Sequence, residues 1–192
     1  MAAQGETRER VLRTAAELFQ RQGYHGTGLT QVLKESRAPK GSLYFHFPDG
    51  KEQLASEAVA RFGREVGGSL AQVLVTAEGG RSGVAAIGKH FARSLLESDF
   101  TKGCPLATVA LETAAENETL RSACDGVYGE WEEGIALALR GWGVPEEKAE
   151  PLAALVLSSL QGALILARVR KDVAVIDTVT AQLGDLVEQS AD

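Results

Sequence analysis

At 192 residues, 44% hydrophobic but only 6% aromatic, the chain is long enough for one large domain or two small ones, with a core built mainly from Ala, Leu, Val and Ile. Its two cysteines, Cys104 and Cys124, form no Cys-x-x-Cys pair and suit a reduced, cytoplasmic protein. The net charge of −6 argues against a uniformly basic nucleic-acid binder, yet it is unevenly divided. Residues 1–66 carry ten Lys/Arg against eight Asp/Glu, and residues 67–192 carry ten against eighteen, which gives a head of +2 on a body of −8.

Met1 to Gly5 is short and polar, so no signal peptide is expected. Thr7 to Gln22 predicts a helix, with Val11, Leu12, Ala15, Leu18 and Phe19 on one face and Gly23 as its stop. Thr27 is the expected N-cap of a second helix through Leu29, Val32 and Leu33. A turn at Ser36-Arg37-Ala38-Pro39 comes next, with Pro39 where a third helix would begin. Pro48 and Gly50 break the chain before a fourth helix carrying Leu54, Ala58, Phe62 and Val66 on one stripe.

Gly67-Gly68 and Gly79-Gly80 are expected to interrupt the chain, ahead of a helix through Val84, Ile87, Phe91 and Leu95. A loop over Thr101–Pro105 leads to helices near 106–115 and 118–140. A turn at Trp142-Gly143-Val144-Pro145 precedes helices near 146–169 and 173–188. No alternating strand pattern of useful length occurs, so the fold class is all-α.

Pro151 to Val169 is apolar on nearly every face, which implies deep burial or a membrane span. The run is interrupted by Ser158, Ser159, Gln161 and Gly162 and falls short of the roughly 20 apolar residues a span requires. A second subunit covers such a face most simply. Val173, Ile176, Leu183, Leu186 and Val187 add an adjoining stripe, so a homodimer through the last two helices, about 146–188, is expected and a membrane is not.

The most informative stretch is residues 30–54. A supporting helix, a tight turn and a short second helix make a DNA-reading helix-turn-helix. Here the residues resemble the TetR family of bacterial transcriptional repressors. The likeness lies in Arg8 through Phe19, Gly23-Tyr24, Thr27-Gly28-Leu29, the run Lys40-Gly41-Ser42-Leu43-Tyr44-Phe45-His46-Phe47, and Lys51-Glu52-Gln53-Leu54. Phe47-Pro48-Asp49-Gly50-Lys51 and Gly103-Cys104-Pro105-Leu106 resemble the LmrA/YxaF-type branch. The resemblance implies a DNA-binding head at 1–50 and an effector-binding and dimerisation body at 51–192. It also implies a small effector that releases the protein from double-stranded, near-palindromic DNA.

The chemistry of each residue agrees. Gly41 and Ser42 let the helix backbone approach the groove, with Pro39 opening that helix, and Lys40 can reach guanine acceptors or a phosphate. Tyr44 can donate its hydroxyl to a phosphate; Phe45 and Phe47 are expected in the core. His46 and Lys51 stand near the start of the fourth helix, where phosphate is favoured. Thr27, Thr30 and an arm contact from Arg8 complete the candidate set. Arg37 departs from the family, which commonly has Gly there: it either adopts a left-handed conformation at a cost or adds a DNA contact.

Candidates for an apolar or aromatic effector pocket are Phe62, Phe91, Phe100, Leu106, Val109, Leu111, Tyr128, Trp131 and Leu160, with Glu112, Asn117, Tyr128 and Gln161 as polar groups. Cys104 also counts among the effector-site candidates, and its thiol is read as buried and inert in preference to a redox sensor. No cofactor or metal is expected, because His25, His46 and His90 share no metal-ligand spacing, and no activated nucleophile is evident. An enzyme is therefore not expected. The alternative to a repressor is a helical protein-interaction module that has lost DNA binding, and Arg37 is its only support in the sequence.

Overall fold

The computed structural model describes residues 2–191, with side chains from residue 5, and all regular structure among these residues is helical. The helices are α1 (Ala2–Gln22), α2 (Leu29–Glu35), α3 (Ser42–His46), α4 (Gly50–Val75), α5 (Gly80–Glu97), α6 (Pro105–Thr113), α7 (Glu118–Gly141), α8 (Glu146–Arg170) and α9 (Ala174–Ala191). They form two compact units, and the chain passes between them within α4 (Arg64 to Glu65), at Gly103–Cys104 and within α7 (Val127 to Tyr128). These units do not coincide with a division at residue 50, since 51–64 and 104–127 group with the N-terminal helices.

In the first unit α1 buries Val11, Leu12, Ala15, Leu18 and Phe19 and packs on α2, α3 and α6. It stops at Gly23, whose φ of +78° favours glycine and whose N–H bonds the Phe19 carbonyl at 3.1 Å. A Cβ at Gly23 would also collide with the Glu112 carboxylate. Gly28, not Thr27, is the residue that precedes α2. Thr27 is buried and its hydroxyl donates to the Gly23 carbonyl at 2.7 Å, so it ties the incoming turn together.

The turn after α2 closes around Arg37, which stands at φ +53°. Arg37 N–H bonds the Lys34 carbonyl at 3.2 Å and Ala38 N–H bonds the Leu33 carbonyl at 3.0 Å, the paired bonds of a Schellman ending usually built on glycine. α3 then begins at Ser42, three residues later than Pro39; the Pro39 carbonyl accepts from both the N–H (3.0 Å) and the hydroxyl (2.7 Å) of Ser42. α4 runs unbroken through Gly67-Gly68, contrary to expectation. Each glycine costs about 1 kcal/mol in a helix, but the flanking Val66 and Leu70 are buried and Gly67 lies against the Trp131 indole.

In the second unit α9 packs on α5 and α8. The approach of α5 to α9 is close because glycines meet side chains there: Gly88 faces Thr180 and Ile176, and Gly184 faces Arg81. α8 is long and apolar enough to cross a membrane by length and composition. It buries Leu152, Val156, Leu157, Leu160, Ala163 and Leu164 within this unit and leaves Leu155, Ile165, Leu166 and Val169 exposed.

Arg37 supplies a test of the turn. Its left-handed backbone costs roughly 1–2 kcal/mol, whereas glycine at a compatible site adds only about 0.4–1 kcal/mol of unfolded-chain entropy. Arg37→Gly should therefore stabilise the chain by about 1 kcal/mol, a rise of roughly 2–4 °C in thermal midpoint. A lower midpoint would mean that the arginine side chain holds the turn.

Candidate nucleic-acid interface and effector cavity

α3 has five residues, too few to be stable alone, so its direction is set by what it buries. Leu43 and Phe47, four apart, are fully enclosed. Tyr44 and Phe45 are turned out, at 66% and 68% exposure. The expectation that Phe45 joins the core is thus overturned, because the helix has only one inward stripe and Leu43 and Phe47 fill it. Phe45 meets the ring of His46 edge-on at 5.0 Å, and His46 contacts Phe47 similarly.

Arginines of the first unit tie α1 to the end of α2, to Phe47 and to α4. The Arg10 Nε donates to the Ser36 carbonyl at 2.7 Å, fixing the end of α2 against α1. Arg8 pairs with Glu57 while its guanidinium lies 5.3 Å from the centre of the Phe47 ring. Arg61 pairs with Glu9. Arg8 therefore stands inside a helix and is engaged within the protein, which corrects its reading as an arm contact. Arg10 was missed by sequence reasoning; its spacing from Ser36 carries no local signal.

The structure brings Lys40, Gly41, Ser42, Tyr44 and His46 together on and just before α3, with Pro39 and Arg37 exposed in the preceding turn. Thr30 is exposed on α2, whereas Thr27 is removed from the candidate set by its burial and its bond to Gly23. Nothing lies within 4 Å of a Cβ built on Gly41, whose backbone is ordinary helical (φ −72°). No intramolecular contact thus requires glycine there. The Lys51 ammonium sits 4.3 Å from the centre of the Tyr24 ring. Burial lowers the pKa of Lys51 and the neighbouring Glu112 carboxylate partly restores it. Burial, and then the charge of Glu52, raises that of Tyr24.

The expected effector residues divide between the units. Phe62, Cys104, Leu106, Val109, Leu111, Glu112 and Asn117 belong to the first, and Phe91, Phe100, Tyr128, Trp131, Leu160 and Gln161 to the second. Leu111 is 81% exposed, on the outer side of α6 and turned to solvent. Glu112 accepts from the His25 backbone N–H at 2.7 Å and closes on Gly23, so it clamps the turn after α1. Asn117 donates to Glu52 and accepts from the Leu120 N–H, and thereby starts α7. Leu106 and Val109 are plain core. Cys104 is buried, and burial with a contribution from Cys104 pushes the Cys124 thiol up to about 11, so Cys124 is a poor nucleophile.

A cavity of about 610 Å³ opens in the second unit. Leu70 and Leu74 of α4 line it together with Trp131, Ile135, Ala138 and Trp142, and Glu78 and Glu130 are its charged groups. Of the expected effector residues only Trp131 lines it; Phe91 packs on Trp131 at 6.3 Å and Tyr128 on Trp131 at 6.1 Å between ring centres. Trp142 is seated where a Cβ on Gly83 would overlap its ring. Gln161 stands outside the lining, and its amide nitrogen and oxygen are buried without a hydrogen-bond partner among the described residues. Among those residues no cluster of His, Cys, Asp or Glu is arranged to hold a metal.

A three-helix head with an anchored, outward-facing α3 is a helix-turn-helix, the class of DNA-reading module that the sequence pattern predicts. Residues 11–58 match the family model of bacterial regulatory proteins of the tetR family, and residues 81–182 match that of the LmrA/YxaF-like transcriptional regulator C-terminal domain. The chain is 39% identical to the uncharacterized HTH-type transcriptional regulator YxaF of Bacillus subtilis over 98% of its own length and 99% of that protein's. It is 36% identical to the HTH-type transcriptional regulator LmrA of the same organism, over 96% and 98%. A solved TetR transcriptional regulator from Chloroflexus aurantiacus superposes with a TM-score of 0.80 at 31% identity, covering 99% of this chain and 98% of that one. The chain belongs to the TetR family of transcriptional regulators, with a C-terminal domain of the LmrA/YxaF-like type. These are DNA-binding, dimeric regulators rather than enzymes.

Gly41 separates folding from DNA reading. Gly41→Ala should leave the thermal midpoint unchanged or slightly raised, since the added methyl meets nothing in the protein. Affinity for a specific duplex should fall at least tenfold if the α3 backbone lies against DNA at that point. Unchanged affinity would place this backbone away from the groove.

Proposed function

We propose that the protein is a cytoplasmic, ligand-responsive repressor that binds a near-palindromic operator as a homodimer and is released by a small apolar or aromatic effector. The observation that carries the DNA half of this reading is the disposition of α3: Leu43 and Phe47 are enclosed while Lys40, Tyr44 and Phe45 are presented to solvent. Lys40 serves base acceptors or phosphate, and Tyr44, His46, Lys51 and Thr30 serve the backbone. Arg37 was the only support for a head that no longer reads DNA. Its turn closes with the paired bonds usually built on glycine, which favours the DNA-reading alternative.

Dimerisation is assigned to α8 and α9. Leu155, Ser158, Gly162, Ile165 and Val169 recur at helical spacing along the exposed side of α8, with Leu186 of α9 also exposed. Two-fold pairing would present two α3 helices to successive major grooves, about 34–36 Å apart, and so demands inverted half-sites.

The effector half of the reading rests on the cavity, whose volume and largely apolar, Trp-lined wall suit a small aromatic molecule. Gly67, Leu70, Ala71, Leu74 and Val75 of its lining belong to α4, the same helix whose first half, from Gly50, lies in the head unit. A ligand that prefers one position of α4 shifts the protein between DNA-competent and released states in proportion to its differential affinity.

Selection of bound genomic fragments by the purified chain tests the reading. The expected product is an inverted repeat, and inserting about half a helical turn between its halves should abolish tight binding. Ile165→Glu, which charges the proposed seam, should yield monomers that lose specific binding. Aromatic compounds that quench Trp131 and Trp142 fluorescence should release the operator. Gly134→Phe, which fills the cavity, should prevent release while leaving operator binding intact. Selection of no common sequence, or release unaffected by Gly134→Phe, would refute the corresponding half.

A further inference from the structure

We infer that Phe45 is a specificity-determining residue that reads the C5-methyl group of thymine in the major groove. The inference rests on the DNA-reading function of α3 and adds a residue outside the polar set assigned to it.

The geometry is set by the two anchors. With about 100° between successive residues of a helix, Phe45 stands about 180° around the axis from the midpoint of Leu43 and Phe47. It is therefore the side chain pointing most directly away from the core. Gly41 lies beside it with open space around its Cα, and Ser42 and Tyr44 flank it to either side. When the outer face of α3 enters a groove, the flanking residues meet the walls and Phe45 meets the floor.

Chemistry then selects its partner. A phenyl ring at 68% exposure donates and accepts no hydrogen bond, and the ring beside it is that of His46 on the same helix. Each base edge in the major groove presents donors or acceptors, and thymine alone adds an apolar group, its methyl. Pressing the ring against any other base would desolvate polar atoms without replacing their hydrogen bonds. Placed against a thymine methyl, the ring leaves water together with that methyl.

The test uses the full-length chain and a duplex obtained by selection from random sequence. Each thymine of the selected duplex is replaced in turn by deoxyuridine, which lacks only the methyl. Wild type should lose about fourfold in affinity at one position in each half-site, the worth of one buried methyl group. Phe45→Ala should bind more weakly overall, be indifferent to deoxyuridine at that position, and keep the wild-type salt dependence because no charge is removed. Wild type indifferent to every replacement overturns the inference while leaving DNA reading intact. So does an alanine variant that stays sensitive at the same position. Failure to select any sequence overturns both.

Discussion

The enclosure of Leu43 and Phe47 is the constraint on which the reading face depends. A helix of five residues makes too few internal hydrogen bonds to offset the cost of nucleation. Its axis and rotation are therefore borrowed from the first-unit core through these two side chains, with Arg8 covering the Phe47 ring. Turning α3 by one residue would bury Tyr44 and present Leu43, and every polar contact assigned to the helix would be lost. The Schellman turn at Arg37, the Arg10 bond to Ser36 and the Glu112 clamp on the turn at Gly23 and His25 keep α2 in register with α1. They determine where α3 stands, whereas the two apolar anchors determine which way it faces.

The cavity and the reading helix are linked by the continuity of the chain through α4. α4 begins three residues after Phe47 and continues for 26 residues into the cavity lining. Its passage through Gly67-Gly68 leaves one unbroken helix between the two ends. A helix of this length transmits displacement along its axis better than a loop would, since its backbone groups are already hydrogen-bonded to one another. This is the physical content of the coupling proposed between effector and operator.

Much of the fold was legible because helical periodicity and glycine stops are local signals. The stripe on α1, the breaks around Gly23 and Pro145 and the long apolar α8 were all read correctly as to type. The misreadings arose where partners distant in sequence decide. Thr27 has the chemistry of an N-cap, but the carbonyl of Gly23 captures its hydroxyl and Gly28 takes the position. Gly67-Gly68 resembles a break, yet burial of Val66 and Leu70 outweighs two helix-weakening residues. Phe45 resembles a core aromatic by composition alone; only the rotation of α3 reveals that it faces outward. Leu111 and Glu112 were grouped with Trp131 as pocket candidates, although α6 belongs to one unit and Trp131 to the other. The sequence distinguishes residue types suited to a pocket but carries no information about which of them share one.

The most direct test of the central claim is a binding titration of the full-length chain on the DNA upstream of its own coding region, over a series of salt concentrations, beside a scrambled duplex. The account predicts two chains per site, a strong preference over the scrambled duplex, and a linear fall of log affinity with log salt whose slope counts several phosphate contacts. Equal, shallow binding to both duplexes there, and to every fragment selected from the genome, would contradict the claim that α3 reads sequence.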